Sequence, residues 1–149
     1  MINYVTGDAT QPIVRPAIIA HVCNDQGGWG KGFVLAVSKR WPEPEAAYRA
    51  GGPQALGSLQ VVPVELGVWV ANMVAQRGYR SSANLEPLRY DVLEVCLVGV
   101  TVAASALGAS VHMPRIGTGL AGGSWNHVHA LIERNLVARE VPVYVYDLP

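Results

Sequence analysis

Two runs in this chain, Ala17–Val22 (AIIAHV) and Val68–Val74 (VWVANMV), are apolar at almost every position, where a strand with one wet face would alternate. Strands of that kind are covered on both sides, as in sheets packed between layers of helices. Four more short runs, Ile2–Val5, Leu59–Val64, Ser110–Pro114 and Val141–Tyr146, are also rich in β-branched residues and bounded by Gly, Pro or polar positions. Six strands are therefore expected.

Helical spacing fills the gaps. In Leu85–Leu107 the residues Leu88, Val92, Val95, Cys96, Val100, Ala103 and Leu107 recur every three or four positions, with Asn84 as N-cap, Pro87 in the first turn and Gly108 as the stop. A second helix is expected over Ser124–Ala138, where Trp125, Val128, Ile132 and Leu136 share a face and Ser124 caps it. Shorter helices are expected from Gly32 to Arg40 and from Glu43 to Ala50, parted by Pro42. Interleaved strands and helices make the class α/β, with helices on both faces of a largely parallel sheet. No repeat or low-complexity linker interrupts the pattern, so residues 1–149 read as a single domain.

Composition narrows the function. Lys+Arg 11 balances Asp+Glu 11, and 50% of residues are hydrophobic, which excludes intrinsic disorder. A duplex-DNA reader needs basic excess to neutralise phosphates, and here the excess is zero. No apolar run reaches the roughly 20 residues of a membrane span; Val92–Leu107 is broken by Glu94, Gly99, Thr101 and Ser105. Met1–Asp8 lacks the basic and apolar regions of a signal peptide, and Cys23 and Cys96 make neither a disulfide framework nor a metal quartet. The expectation is a cytoplasmic monomer without metal, cofactor, membrane or sequence-specific nucleic-acid partner.

Eight of the 16 glycines fall in two segments, Gly27, Gly28, Gly30, Gly32 and Gly117, Gly119, Gly122, Gly123. Each follows an expected strand and precedes an expected helix, which puts both at carboxyl ends of strands, where α/β sheets bind ligands. Backbone there approaches a ligand closely and turns N–H groups toward an anion. Gly117–Gly122 matches G-x-G-x-x-G, but only about 27 residues follow it, too few for the rest of a dinucleotide fold. Gly30-Lys31-Gly32 lacks the Ser or Thr of a phosphate-binding P-loop. His127 and His129 are two apart and face different sides of a helix, so zinc is disfavoured. Cys23 and His21 read as buried core groups, Ser124 as a cap and not a nucleophile, and Asn24 as an amide suited to sugar hydroxyls.

Thr6-Gly7-Asp8-Ala9-Thr10, then Ile19–Asn24 followed by Gly28-Trp29-Gly30-Lys31-Gly32-Phe33, then Met113-Pro114-Arg115-Ile116-Gly117-Thr118-Gly119-Leu120 followed by Trp125, together resemble the macrodomain family. The likeness covers nearly the whole chain. It points to the branch of the chromatin-remodeller macrodomains, which includes a terminal ADP-ribose glycohydrolase and an ADP-ribose 1''-phosphate phosphatase. The resemblance implies a three-layer α/β/α sandwich around a six-stranded mixed sheet, with ADP-ribose or an ADP-ribosylated protein as partner. It also implies that Asp8 and Ala9 meet the adenine and Tyr146 or Leu148 covers it. Gly28, Trp29, Gly30, Lys31, Gly32 and Phe33 would cradle the distal ribose and one phosphate. Arg115, Ile116, Gly117, Thr118, Gly119, Leu120 and Ala121 would wrap the pyrophosphate, with Asn24 on the distal ribose.

The glycohydrolase of this branch works through a lysine and an aspartate whose matching positions here are Gln76, beside Arg77, and Ala121. A lysine-adduct route is therefore not implied. The resemblance leaves Asn24, Lys31 and Thr118 as candidates for orienting water at C1'' of the distal ribose. Removal of mono-ADP-ribose from acidic side chains is the activity expected first, with dephosphorylation of ADP-ribose 1''-phosphate, or ADP-ribose reading without catalysis, as alternatives.

Overall fold

A computed structural model describes all residues from Met1 to Pro149. Six strands, β1 (Ile2–Thr6), β2 (Ala17–Asn24), β3 (Leu59–Glu65), β4 (Val68–Gln76), β5 (Ser110–Met113) and β6 (Val143–Asp147), form one sheet in the order β1-β6-β5-β2-β4-β3. All pairings are parallel except β3 with β4, so the sheet is mixed. The antiparallel pair is a hairpin turned at Leu66-Gly67. β3 is one of the two edge strands, and Pro63 and a bulge beside it spoil that edge as a template for another chain.

The doubly apolar strands behave as their composition requires. On β2, Ile18 and Ala20 face a core shared with α3 (Tyr90–Leu107) and α4 (Trp125–Asn135), while Ile19 and Cys23 face α1 (Phe33–Arg40) and α2 (Glu43–Ala50). The result is the expected α/β/α layering. α3 buries Leu93, Cys96, Leu97, Val100 and Ala104 against the sheet and leaves Val95, Val98 and Val102 exposed.

The elements depart from expectation at their ends. α3 starts at Tyr90, not Leu85, and Asn84 is not its cap. The intervening residues stay out of the helix because their backbone bonds outward: Leu88 N–H donates to Ala121 O at 3.1 Å and Arg89 N–H to Ala75 O at 2.9 Å. They thereby wedge the β5–α4 loop against the end of β4. α4 begins at Trp125, but the Ser124 hydroxyl caps nothing; its N–H donates to the Tyr90 hydroxyl at 2.8 Å. That helix ends at Asn135, and a separate 3-10 turn covers Val137–Arg139. β6 starts at Val143, since Pro142 precedes it and Val111 N–H bonds the Pro142 carbonyl at 2.9 Å.

Candidate functional site

β2 and β5 are neighbours in the middle of the sheet, yet the chain leaves β2 toward β4 and β5 toward β6. Their departing loops part, and a crevice opens where ligands bind in sheets of this kind. It is a cavity of about 640 Å³ with both glycine segments in its walls.

Asn24 organises the first wall. It is the last residue of β2, just past a register shift, and is buried. Its Oδ1 accepts the Gln26 N–H at 2.8 Å and the Gly28 N–H at 3.2 Å, and its Nδ2 donates to the Gly28 carbonyl at 3.0 Å. The Tyr48 hydroxyl donates to the Asn24 carbonyl and accepts the Gly27 N–H at 3.1 Å. Beyond this knot, no backbone N–H from Trp29 to Val34 has an acceptor within the protein. Gly32 (φ 82°) stands at the N-cap of α1 without a side-chain cap, so the positive end of the helix faces the cavity.

The second wall is built the same way. Gly122 N–H donates to Gly119 O at 3.0 Å and Gly123 N–H to Gly117 O at 2.7 Å, while the N–H groups of Gly117, Thr118, Gly119, Leu120 and Ala121 have no acceptor. A methyl on Gly123 would lie 2.5 Å from the Gly117 oxygen, which leaves room for glycine alone. Leu120, half exposed, reaches across until its Cδ1 is 3.7 Å from where a side chain on Gly32 would begin. The two loops thus meet over the crevice.

A third wall was foreseen only at Gln76, the position that matches the relative's lysine. Gln76, Tyr79 and Arg80, from the end of β4 and the loop after it, also line the cavity. A methyl on Gly28 would lie 2.1 Å from the Tyr79 hydroxyl, so the first wall and this loop are in direct contact. Asn84 holds the loop: its Nδ2 donates to Arg77 O at 2.7 Å and to Tyr79 O at 3.1 Å, and its backbone exchanges two bonds with Ser81. The Asp25 carboxylate accepts the Gly78 N–H at 2.7 Å. The available signal was the polar stretch Arg77–Ser82 at the carboxyl end of a central strand.

Electrostatics set what the site does. His21 lines the cavity, but burial pushes its imidazole down to about 4, and Nε2–H donates to Asn72 Oδ1 at 2.6 Å. The tautomer follows because Asn72 Nδ2 already donates to Pro44 O and Gln60 Oε1. Burial raises the Cys23 thiol far above its ordinary range. At neutral pH the Cys23 thiol is protonated and no nucleophile, and the His21 imidazole is neutral and only weakly basic. Arg115 is at the wall, but its guanidinium is spoken for by both Asp147 oxygens, at 2.7 and 3.0 Å, and lies between the Tyr4 and Trp125 rings at 5.1 and 5.2 Å. No carboxylate lines the cavity, and Lys31 and Arg80 are its two cations without a partner.

Several expected residues lie elsewhere. Trp29 is buried under α1 with its indole N–H on Ser38 Oγ at 2.7 Å. Thr118 turns its hydroxyl to Arg115 O at 2.8 Å and offers only its backbone N–H. Asp8 and Ala9 lie outside the cavity wall, and Asp8 Oδ1 accepts the Thr10 N–H and hydroxyl. Tyr146 is no cover for a base: it is buried beneath Gly7, with its hydroxyl accepting the Ile13 N–H at 3.0 Å and bonded to His112 Nδ1 at 2.7 Å.

No family model matches the sequence. A solved macrodomain protein from Streptomyces coelicolor is 53% identical, with a TM-score of 0.85 over 99% of this chain and 99% of that one. The chain belongs to the macrodomain family. This macrodomain is also similar to mouse chromodomain-helicase-DNA-binding protein 1-like, at 34% identity over 99% of the chain but 18% of that relative's length. An ADP-ribose 1''-phosphate phosphatase from Lodderomyces elongisporus aligns at 21% identity over 98% of the macrodomain and 99% of its own length.

Proposed function

We propose that the crevice binds ADP-ribose and hydrolyses the bond at C1'' of the distal ribose, releasing mono-ADP-ribose from acidic side chains of proteins. The observation that carries this reading is the pair of facing backbone runs, Trp29–Val34 and Gly117–Ala121, whose N–H groups have no acceptor of their own. A pyrophosphate with about two negative charges supplies acceptors for both runs, and backbone dipoles and a helix end supply positive potential that formal charge omits.

The chemistry follows from what the cavity offers. A water oxygen adds to C1'' and gives up one proton to solvent, the C1''–O bond to the acyl group breaks, and the glutamate or aspartate leaves as a carboxylate. Asn24 has one Nδ2 hydrogen beyond its Gly28 bond to orient ribose or water. The Lys31 ammonium offsets developing negative charge, and Thr118 contributes its backbone N–H. Burial makes the neutral His21 ring a weak base, and its Nε2–H is held by Asn72.

A second reading, ADP-ribose binding without turnover, is favoured by the lack of any carboxylate on the cavity wall. Calorimetry with ADP-ribose, run beside assays of glutamate-linked, serine-linked and 1''-phosphate substrates, separates the readings. Release of ADP-ribose from the glutamate-linked protein is expected. Binding without any release favours the reader, phosphate release alone favours the phosphatase, and absence of binding overturns all three.

A further inference from the structure

We infer that Arg80 is a specificity residue of this crevice: it recognises an anionic phosphoryl substituent on the distal ribose, and Asn84 positions it. The inference rests on the ADP-ribose reading above and adds a second class of substituent, beside the acyl ester, that the far end binds more tightly than the free hydroxyl.

The order of strands orders the ligand. Asp8 and Ala9, proposed at the adenine end, follow edge strand β1; the two glycine loops follow β5 and β2; the Arg80 loop follows β4. At about 4.8 Å per strand, β1 to β4 spans four spacings, or about 19 Å. A nucleoside diphosphate sugar laid across these strand ends, with its pyrophosphate on the central loops, brings its last ribose toward β4. The contact of the Tyr79 hydroxyl with Gly28 places the Arg80 loop directly against the wall proposed for that ribose.

Charge accounting leads to the same place. The pyrophosphate is met by backbone N–H groups, and Arg115 is neutralised by Asp147. Arg80 remains, without an ion pair or hydrogen bond, at a wall that has no carboxylate. Its loop is held by the Asn84 amide, the Ser81–Asn84 bonds and the Asp25–Gly78 bond. A guanidinium on an ordered loop matches a phosphoryl group with two oxygens at once, a fit that an uncharged glycosidic or ester substituent does not give. Lys31, on the opposite wall, adds a point charge but no such geometry.

The test compares affinities for ADP-ribose and ADP-ribose 1''-phosphate by stopped-flow competition, read before turnover. Wild type is expected to favour the phosphorylated ligand. Arg80→Ala should cut that preference ratio by about three- to fivefold, the range of a partly exposed charged contact, with Arg80→Lys recovering part of it. Asn84→Ala should lower the ratio in the same direction. An unchanged ratio in Arg80→Ala, or equal weakening of both ligands, overturns the inference. If wild type binds neither ligand, the ADP-ribose reading itself fails, an outcome distinct from an unchanged ratio.

Discussion

The Asn24 side chain and the Gly28 backbone hold each other reciprocally: Nδ2 donates to the Gly28 carbonyl at 3.0 Å while Oδ1 accepts the Gly28 N–H at 3.2 Å. This pair closes the first glycine loop before any ligand arrives. Asn24→Ala should therefore destabilise the fold by about 1–3 kcal/mol, since the Gln26 and Gly28 N–H groups lose their acceptor in a part-buried site. Urea denaturation reads that loss, and calorimetry should show ADP-ribose affinity reduced by roughly tenfold or more, a change of about 1.4 kcal/mol. Wild-type affinity in this variant would show that the knot does not prepare the site.

Glycines of the second loop divide into two kinds. A side chain on Gly119 meets nothing within 4 Å, whereas one on Gly123 meets the Gly117 oxygen at 2.5 Å. Gly119→Glu should keep the wild-type melting temperature and lose ADP-ribose binding, because its carboxylate enters the space proposed for the pyrophosphate. Gly123→Ala should melt lower, by an amount on the order of 1–3 kcal/mol of overpacking strain. If Gly119→Glu still binds ADP-ribose at full strength, the pyrophosphate does not lie on this loop.

His21 and His112 are both buried, and burial lowers each to about 4. The folded protein stays unprotonated at these rings while the unfolded chain takes up protons below about 6.5. The unfolded state thus binds more protons, and stability falls as pH drops from about 6.5 toward 4. With two rings the slope approaches roughly 3 kcal/mol per pH unit inside that window. Urea midpoints at a series of pH values check this. His112→Gln should leave about half the slope, and a wild-type midpoint flat across the window would contradict the burial argument.

Burial also silences the thiols. Cys23 is raised far above its ordinary range and Cys96 to about 11, so neither is a thiolate at neutral pH. Iodoacetamide at pH 7.5 should leave the folded protein unmodified and label both residues once urea unfolds it. Rapid labelling of Cys23 in the native state would mean that the crevice floor opens to solvent.

Much of the site was legible because its chemistry is local. Glycine is favoured where backbone must expose its N–H groups, and two clusters of it at strand ends marked both walls in the sequence. Asn24 was singled out for the right place, but its bonds to its own loop were not foreseen, because they depend on the turn it closes. Asn84 was misread because an Asn before an apolar helical pattern is a good cap by local rules. Leu88 and Arg89 bond instead to Ala121 and Ala75, and those long-range partners delay the helix to Tyr90. Tyr146 and Trp29 were assigned to the ligand by the resemblance alone; both are buried, where their apolar area is worth more.

Sequence alone determined the layers, since strands apolar on both faces between amphipathic segments can satisfy their burial only as a sheet covered by helices. It also set the expectation that an anion would be met by backbone, from balanced formal charge and paired glycine clusters. Tertiary structure decided which cations are free to act. Arg115, Lys31 and Arg80 are equivalent in composition, but Asp147, 32 residues from Arg115, neutralises the first of them. The loop that carries Arg80 enters the crevice only because β4 lies beside β2 in the sheet. Pairing across such separations depends on the path of the chain, and neither periodicity nor spacing encodes it.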